Sequence, residues 1–235
     1  MTAKTTAKTA EKEMDGVFED IGNKHGYGIV RARYVALKDF KVRWTRVANR
    51  DWVDFKVSDY IKGAHPDLIA SLAETIFSKM EGRTVPYSDA FSKWALSEDF
   101  VEEKQPVYLS RCRNLTRTPE GKYKDLSVSF QRLKDMGLVD KDSNPYITWT
   151  TNKSMRKCGY SSPLMNVIVI SSYFDGKEIP DSLLDYVVYG EWLRMSEGRK
   201  CFGHEIDNDY INEMMTGFPE SDQSKRLLDK FGMYI

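Results

Sequence analysis

Few stretches of this chain place chemistry-bearing residues at spacings that a reaction or a metal would need. Cys201-Phe-Gly-His204 is one, since a thiolate and an imidazole three residues apart can supply two metal ligands. Glu191 is another, a carboxylate set in Leu183–Met195 (LLDYVVYGEWLRM). There Leu184, Val187, Val188, Trp192 and Met195 recur three or four residues apart, the period of a helix with one buried face. Glu191 can serve as a base or as a paired structural carboxylate, and the structural role is favoured. Gly190 sits at the middle of this helix, where glycine costs about 1 kcal/mol relative to alanine. Asp181 and Ser182 after Pro180 supply a start, and Gly198 a stop. His25 and His65, beside Gly26 and Pro66, read as solvated loop histidines. No phosphate-binding glycine loop, Ser/His/Asp order or CxxC pair is present.

The order Tyr189, Glu191, Leu193, Met195 resembles the helix of the SprT-like and YgjP-like zinc metallopeptidases, which reads Tyr-His-Glu-Leu-Leu-His-Met. The resemblance extends upstream through Trp149-Thr150, Ser154, Tyr160–Ser171, Phe174, Ile179-Pro180 and Leu184-Asp185-Tyr186-Val187. Downstream, that family has a His-Asn pair and then a Phe-Pro; here Asp207-Asn208 precedes Phe218-Pro219. The resemblance covers roughly Ile147–Pro219 and rests on many positions in order. It implies an α+β, zincin-like metallopeptidase domain following an N-terminal strand-rich region.

The departures from that family fall on its chemistry. Its H-E-x-x-H motif sets two histidines four apart on one helical face to hold zinc, and the glutamate polarises the bound water. The corresponding run here is Gly190-Glu191-Trp192-Leu193-Arg194. Glycine has no ligand atom, and arginine stays protonated with no lone pair to give. The third ligand position falls on Asp207, so Gly190, Arg194 and Asp207 are degenerate metal-site positions and Glu191 is a relic general-base position. One carboxylate cannot replace three ligands and an open fourth position. The expectation is a metallopeptidase-like protein without zinc or proteolysis, acting as a binding or scaffold protein with an unknown protein partner and no cofactor. Two alternatives stand beside it. One is a zinc-dependent peptidase with unconventional ligands such as Glu191, His204 and Asp207, in which His204 is the weak metal candidate. The other is a nucleic-acid-associated accessory protein.

The elements that must position these residues are legible in outline. Gly28–Phe40 and Val42–Phe55 are rich in β-branched and aromatic residues and read as half-buried antiparallel strands with a turn at Asn49-Arg50-Asp51. Asp67–Met80 is the cleanest amphipathic helix, and a second is expected around Ser88–Leu96, with Glu98–Glu103 continuing it before Pro106. Val107–Asn114 and Lys124–Asp135 fit helix or strand. Tyr146–Thr151 and Val167–Ser171 read as strands, and Met155–Met165, with Gly159 and Pro163, turns the chain between them. The expected organisation is a disordered tail over 1–14, an N-terminal α+β region over 15–140 and the metallopeptidase-like region over 141–235. No internal sequence repeat is evident.

Composition sets the class. Lys plus Arg and Asp plus Glu number 35 each, so the formal net charge is zero, which argues against tight non-specific binding to nucleic acid or anionic membrane. The charges are nevertheless uneven. Residues 31–50 carry seven basic residues (Arg31, Arg33, Lys38, Lys41, Arg43, Arg46, Arg50) against Asp39 alone, whereas 174–222 carry twelve acidic against four basic. The basic stretch, with Tyr34, Trp44 and Trp52 as stacking partners, makes nucleic acid a possible but not favoured partner. No apolar run is long enough to span a membrane, and the N-terminal MTAKTTAKTAEKEM lacks the apolar core of a signal peptide. Three widely separated cysteines, Cys112, Cys158 and Cys201, fit a reducing, cytoplasmic setting.

Overall fold

The structure, a computed structural model, describes residues 3–47, 52–153 and 156–235, with 3–10 as backbone only. The chain is mixed α+β and divides into two compact units, Met1–Ser97 and Glu98–Ile235. The boundary lies well before the expected 140/141. Residues between the two positions bond to residues beyond 141: Gln105 Nε2 donates to the Met165 carbonyl (2.8 Å), and Trp149 Nε1 donates to that of Pro119 (2.7 Å). The turn expected at Asn49-Arg50-Asp51 lies outside the described residues. No helix among the described residues is long and apolar enough to cross a membrane.

The first unit opens with α1 (Ala3–Lys24), so the stretch expected as a disordered tail is helical from Ala3. Its Met14 and Phe18 are wholly buried, which anchors the helix. Asp15 accepts a hydrogen bond from the Ala32 amide (2.6 Å) in β1 (Ile29–Val35). Strands β2 (Val42–Arg46) and β3 (Trp52–Ser58) complete a sheet ordered β1-β3-β2. The hairpin pair β2–β3 is antiparallel as expected, but β1 runs parallel to β3. The 36–41 connection carries the chain past the central position, which leaves that place for β3. Val30, Ala32, Val53, Phe55 and Val57 form the buried face of the sheet. Phe18 meets Phe55 at 5.0 Å, and Phe55 meets Phe77 edge-on at 5.1 Å. Phe77 lies on α2 (Pro66–Met80), whose buried Ile69, Leu72, Ala73, Ile76 and Met80 keep the helical period. His65 caps this helix and stays exposed. His25 is not a solvated loop residue: it stacks on Phe77 and lies between Glu74 (3.0 Å) and Glu81 (3.2 Å). Helix α3 (Asp89–Ala95), capped by Ser88, ends the unit.

The second unit starts with α4 (Glu98–Arg111), which continues through Pro106 instead of stopping before it. Helix α5 (Leu126–Asp135) begins at an Asp125 cap and is the helical alternative for that segment. Strands β4 (Tyr146–Trp149), β5 (Gly159–Ser162) and β6 (Val167–Ile170) form a sheet ordered β4-β6-β5. The stretch expected only to turn the chain therefore contains a strand. β6 is buried at all four positions, as an inner strand covered on both faces must be. Helix α6 (Asp181–Lys200) packs on β5, β6 and α5, and α7 (Asn208–Thr216) and α8 (Ser221–Phe231) follow it.

The two units repeat one topology. Each has a helix, three strands with the third in the centre, a 3₁₀ turn and a further helix. The turns carry related residues: Ser58-Asp59-Tyr60-Ile61-Lys62-Gly63 before Pro66-Asp67, and Ser171-Ser172-Tyr173-Phe174-Asp175-Gly176 before Pro180-Asp181. The strands and loops between differ in length and composition, so a repeat of fixed period is invisible in the sequence.

Candidate functional site

Helix α6 carries the site. Leu183 through Leu193 are buried without a break, so the helix has no polar face over three turns. Two carboxylates lie inside this run. Asp185 is satisfied: Arg132 of α5 grips it in bidentate fashion (Nε to Oδ2 and Nη2 to Oδ1, both 2.7 Å), and the Ser129 hydroxyl adds a third bond at 2.5 Å. Glu191 is different, because its Oε2 is buried with no hydrogen-bond partner. Burial pushes its carboxyl up to about 7, against the opposing pull of Arg194, a Ser161 hydroxyl bond and Lys157.

Glu191 lies against β5. A Cβ on Gly159 would meet the Val169 carbonyl oxygen of β6 at 2.4 Å, which calls for glycine in this strand pair, and would crowd Glu191 Cγ at 3.2 Å. The neighbouring Cys158 thiol is raised to about 12, by burial first and then by the charge of Glu191, so it stays protonated and inert. A carboxyl titrating near 7 can take and give protons. The neighbouring Cys158 thiol stays protonated, and the Ser161 hydroxyl bonds the Glu191 carboxylate itself.

Gly190 is where the site is filled. The segment Met233–Ile235 returns from α8 through left-handed Gly232 and runs beside Arg156–Cys158. The Cys158 amide donates to the Tyr234 carbonyl (3.1 Å), and the Tyr234 amide to that of Arg156 (3.2 Å). This brings Ile235 onto α6: a Cβ on Gly190 would stand 2.6 Å from Ile235 Cγ2 and 3.2 Å from Met215 Cε. Arg194, one turn on, donates from Nη2 to the Ile235 backbone oxygen and from Nη1 to Asn208 Oδ1, both at 2.9 Å. A cleft of about 240 Å³ opens beside this contact, lined in part by Tyr186, Arg194, Met215, Asp229 and Ile235.

The structure thus brings Gly190 and Arg194 against Ile235, sets Glu191 against Gly159 of β5, and leaves the other two named positions aside. Asp207 caps α7, accepting from the Asp209 and Tyr210 amides (2.9 and 3.1 Å), and its neighbour Asn208 is the residue that meets Arg194. His204 is exposed in the turn after α6. Its partner in spacing, Cys201, donates from Sγ to Glu197 (3.2 Å), a bond that raises the thiol pKa. Among the described residues, no three His, Cys, Asp or Glu side chains converge as a metal site requires. Of the three positions the resemblance gives to zinc ligands, Gly190 and Arg194 offer no lone pair and Asp207 is engaged in the α7 cap, so this set does not fit the metal.

Sequence reasoning missed Asp185 and the Met233–Ile235 segment. An aspartate inside Leu-Leu-Asp-Tyr-Val-Val was the available signal for the first, since a carboxylate on a buried face demands a cation. Nothing local marks the second, because its partners lie 76 residues from Tyr234, at Cys158, and 45 residues from Ile235, at Gly190. Compared with known protein families, curated proteins and solved structures, the chain matches none.

Proposed function

We propose that this chain is a zincin-like relative of the SprT-like and YgjP-like metallopeptidases that has given up zinc and proteolysis and acts by binding another protein. The observation that supports the reading is the packing at Gly190, the position the resemblance gives to the first zinc histidine. Ile235 packs where the side chain at 190 would project, and Arg194 holds the segment in place through its backbone oxygen. In the family resembled, zinc supplies the activated water; here the two helix positions offer no lone pair, so Glu191 has no metal-bound water to polarise. The cleft beside Ile235, mixed in its lining, is the proposed place for a protein segment.

The unconventional-ligand reading is weaker. Asp207 spends its carboxylate on a helix cap, and Cys201 bonds Glu197. The decisive experiment compares the wild type with Glu191→Gln on an unfolded protein substrate, with and without added zinc. Equal absence of cleavage supports the proposal, and cleavage that depends on Glu191 and zinc overturns it.

A further inference from the structure

Zero net charge argues against nucleic acid only if the charges are mixed, and on the first sheet they are sorted. Its inner face packs on α1 and α2. Register assigns the outer face: Ile29, Arg31 and Arg33 on β1 lie opposite Trp52, Asp54 and Lys56 on β3, which in turn face Thr45 and Arg43 on β2. Four cations and one carboxylate share this face, and all four cations are exposed. Asp54 pairs with Arg33 (3.1 Å), leaving Arg31, Arg43 and Lys56 without an ion-pair partner among the described residues. At one end, Ile29 and Trp52 are 55% and 38% exposed beside a depression of about 500 Å³ that Arg31, Thr45 and Asp54 also line.

The sorting also corrects the sequence reading of this stretch. Of the three aromatics expected to stack, only Trp52 belongs to the outer face. Trp44 is paired with inward-facing Phe55, and Tyr34 lies beneath the Lys62 ammonium. Arg46 is structural, bonded to the Tyr27 hydroxyl and the Met80 carbonyl.

We propose that this outer sheet face binds single-stranded nucleic acid, with phosphates on Arg31, Arg43 and Lys56 and an unpaired base on the Trp52 indole. The physical case rests on pairing the two features. Lys56 and Arg43 are register partners about 5 Å apart across β3 and β2. Arg31 lies one same-face step of about 7 Å along β1 from Arg33, the register partner of Lys56, so the free cations form a band across the three strands that an extended phosphate backbone can cross. An exposed indole beside them is a stacking platform, which needs a base free of its complement. An acidic protein segment would use the cations and leave the indole without a role. The inference is independent of the reading of the second unit.

The test is fluorescence anisotropy of the full chain with labelled twelve-nucleotide oligo-dT and oligo-U. Three free cations predict a salt slope near −2, so binding weakens roughly twentyfold from 50 to 200 mM salt. Arg31→Glu with Arg43→Glu should lower affinity at least tenfold and flatten that slope. Trp52→Ala should lower affinity at least fivefold with the slope unchanged, and Trp52→Phe should restore most of it. These positions are exposed, and unchanged thermal melts verify folding. Absence of saturable binding at 50 mM salt overturns the proposal, as does binding indifferent to Trp52. Displacement of the oligonucleotide by polyglutamate at equal charge concentration would assign the face to an acidic protein partner instead.

Discussion

Ile235 occupies the space that a side chain at position 190 would fill, 2.6 Å from the place of its Cβ. A glycine in the middle of α6 weakens the helix by about 1 kcal/mol relative to alanine, yet here it admits a distant segment to the helix surface. Gly190→Ala sets these effects against each other. The helix gains, the Ile235 side chain must move, and the Arg194 bond to its backbone oxygen is stretched. Expected is a melting temperature within a few degrees of wild type, together with hydrogen exchange at the Cys158 amide accelerated at least tenfold. Unchanged protection of that amide would contradict the packing described.

Glu191 predicts how stability depends on pH. Its folded-state pKa, about 7, lies above the usual 4.5, so the folded chain holds this proton more tightly than the unfolded chain. Its contribution is full below about pH 4.5 and is lost as pH rises to about 7, a swing on the order of 3 kcal/mol. Glu191→Gln removes the titration. Relative to wild type, the variant should gain stability between pH 5 and pH 8 by denaturant melts. A constant difference across that range would show that Glu191 titrates normally.

Asp185 predicts the opposite kind of cost. Arg132→Ala leaves a buried carboxylate with only the Ser129 hydroxyl, and should destabilise by about 2–3 kcal/mol at pH 7. The double variant Arg132→Ala/Asp185→Asn should recover part of that loss, because the orphaned charge is gone. Additive losses would show that the two residues do not act as a pair.

Local pattern and long-range contact divide what the sequence discloses. Helix α2 was legible because Ile69, Leu72, Ala73, Ile76 and Met80 carry its period and Pro66 its start. Strand β6 was legible because Val167–Ile170 are all apolar. Strand β5 was not, since Gly159-Tyr-Ser-Ser162 lacks β-branched residues and is held by its pairing with β6. The parallel β1–β3 pairing was equally hidden, because both strand orders satisfy the same alternation. At the site, the absence of ligand atoms from Gly190 and Arg194 follows from residue type alone. What fills the space follows only from Met233–Ile235 folding back through Gly232.

The proposal that zinc has been given up is read out by the metal content of the untagged, dialysed protein together with its melting temperature in chelator. Expected are well under 0.1 equivalent of zinc per chain, on the order of background, and no change in melting temperature, because Gly190 and Arg194 supply no lone pair. Near-stoichiometric zinc, removed by chelator with a loss of stability, would contradict it.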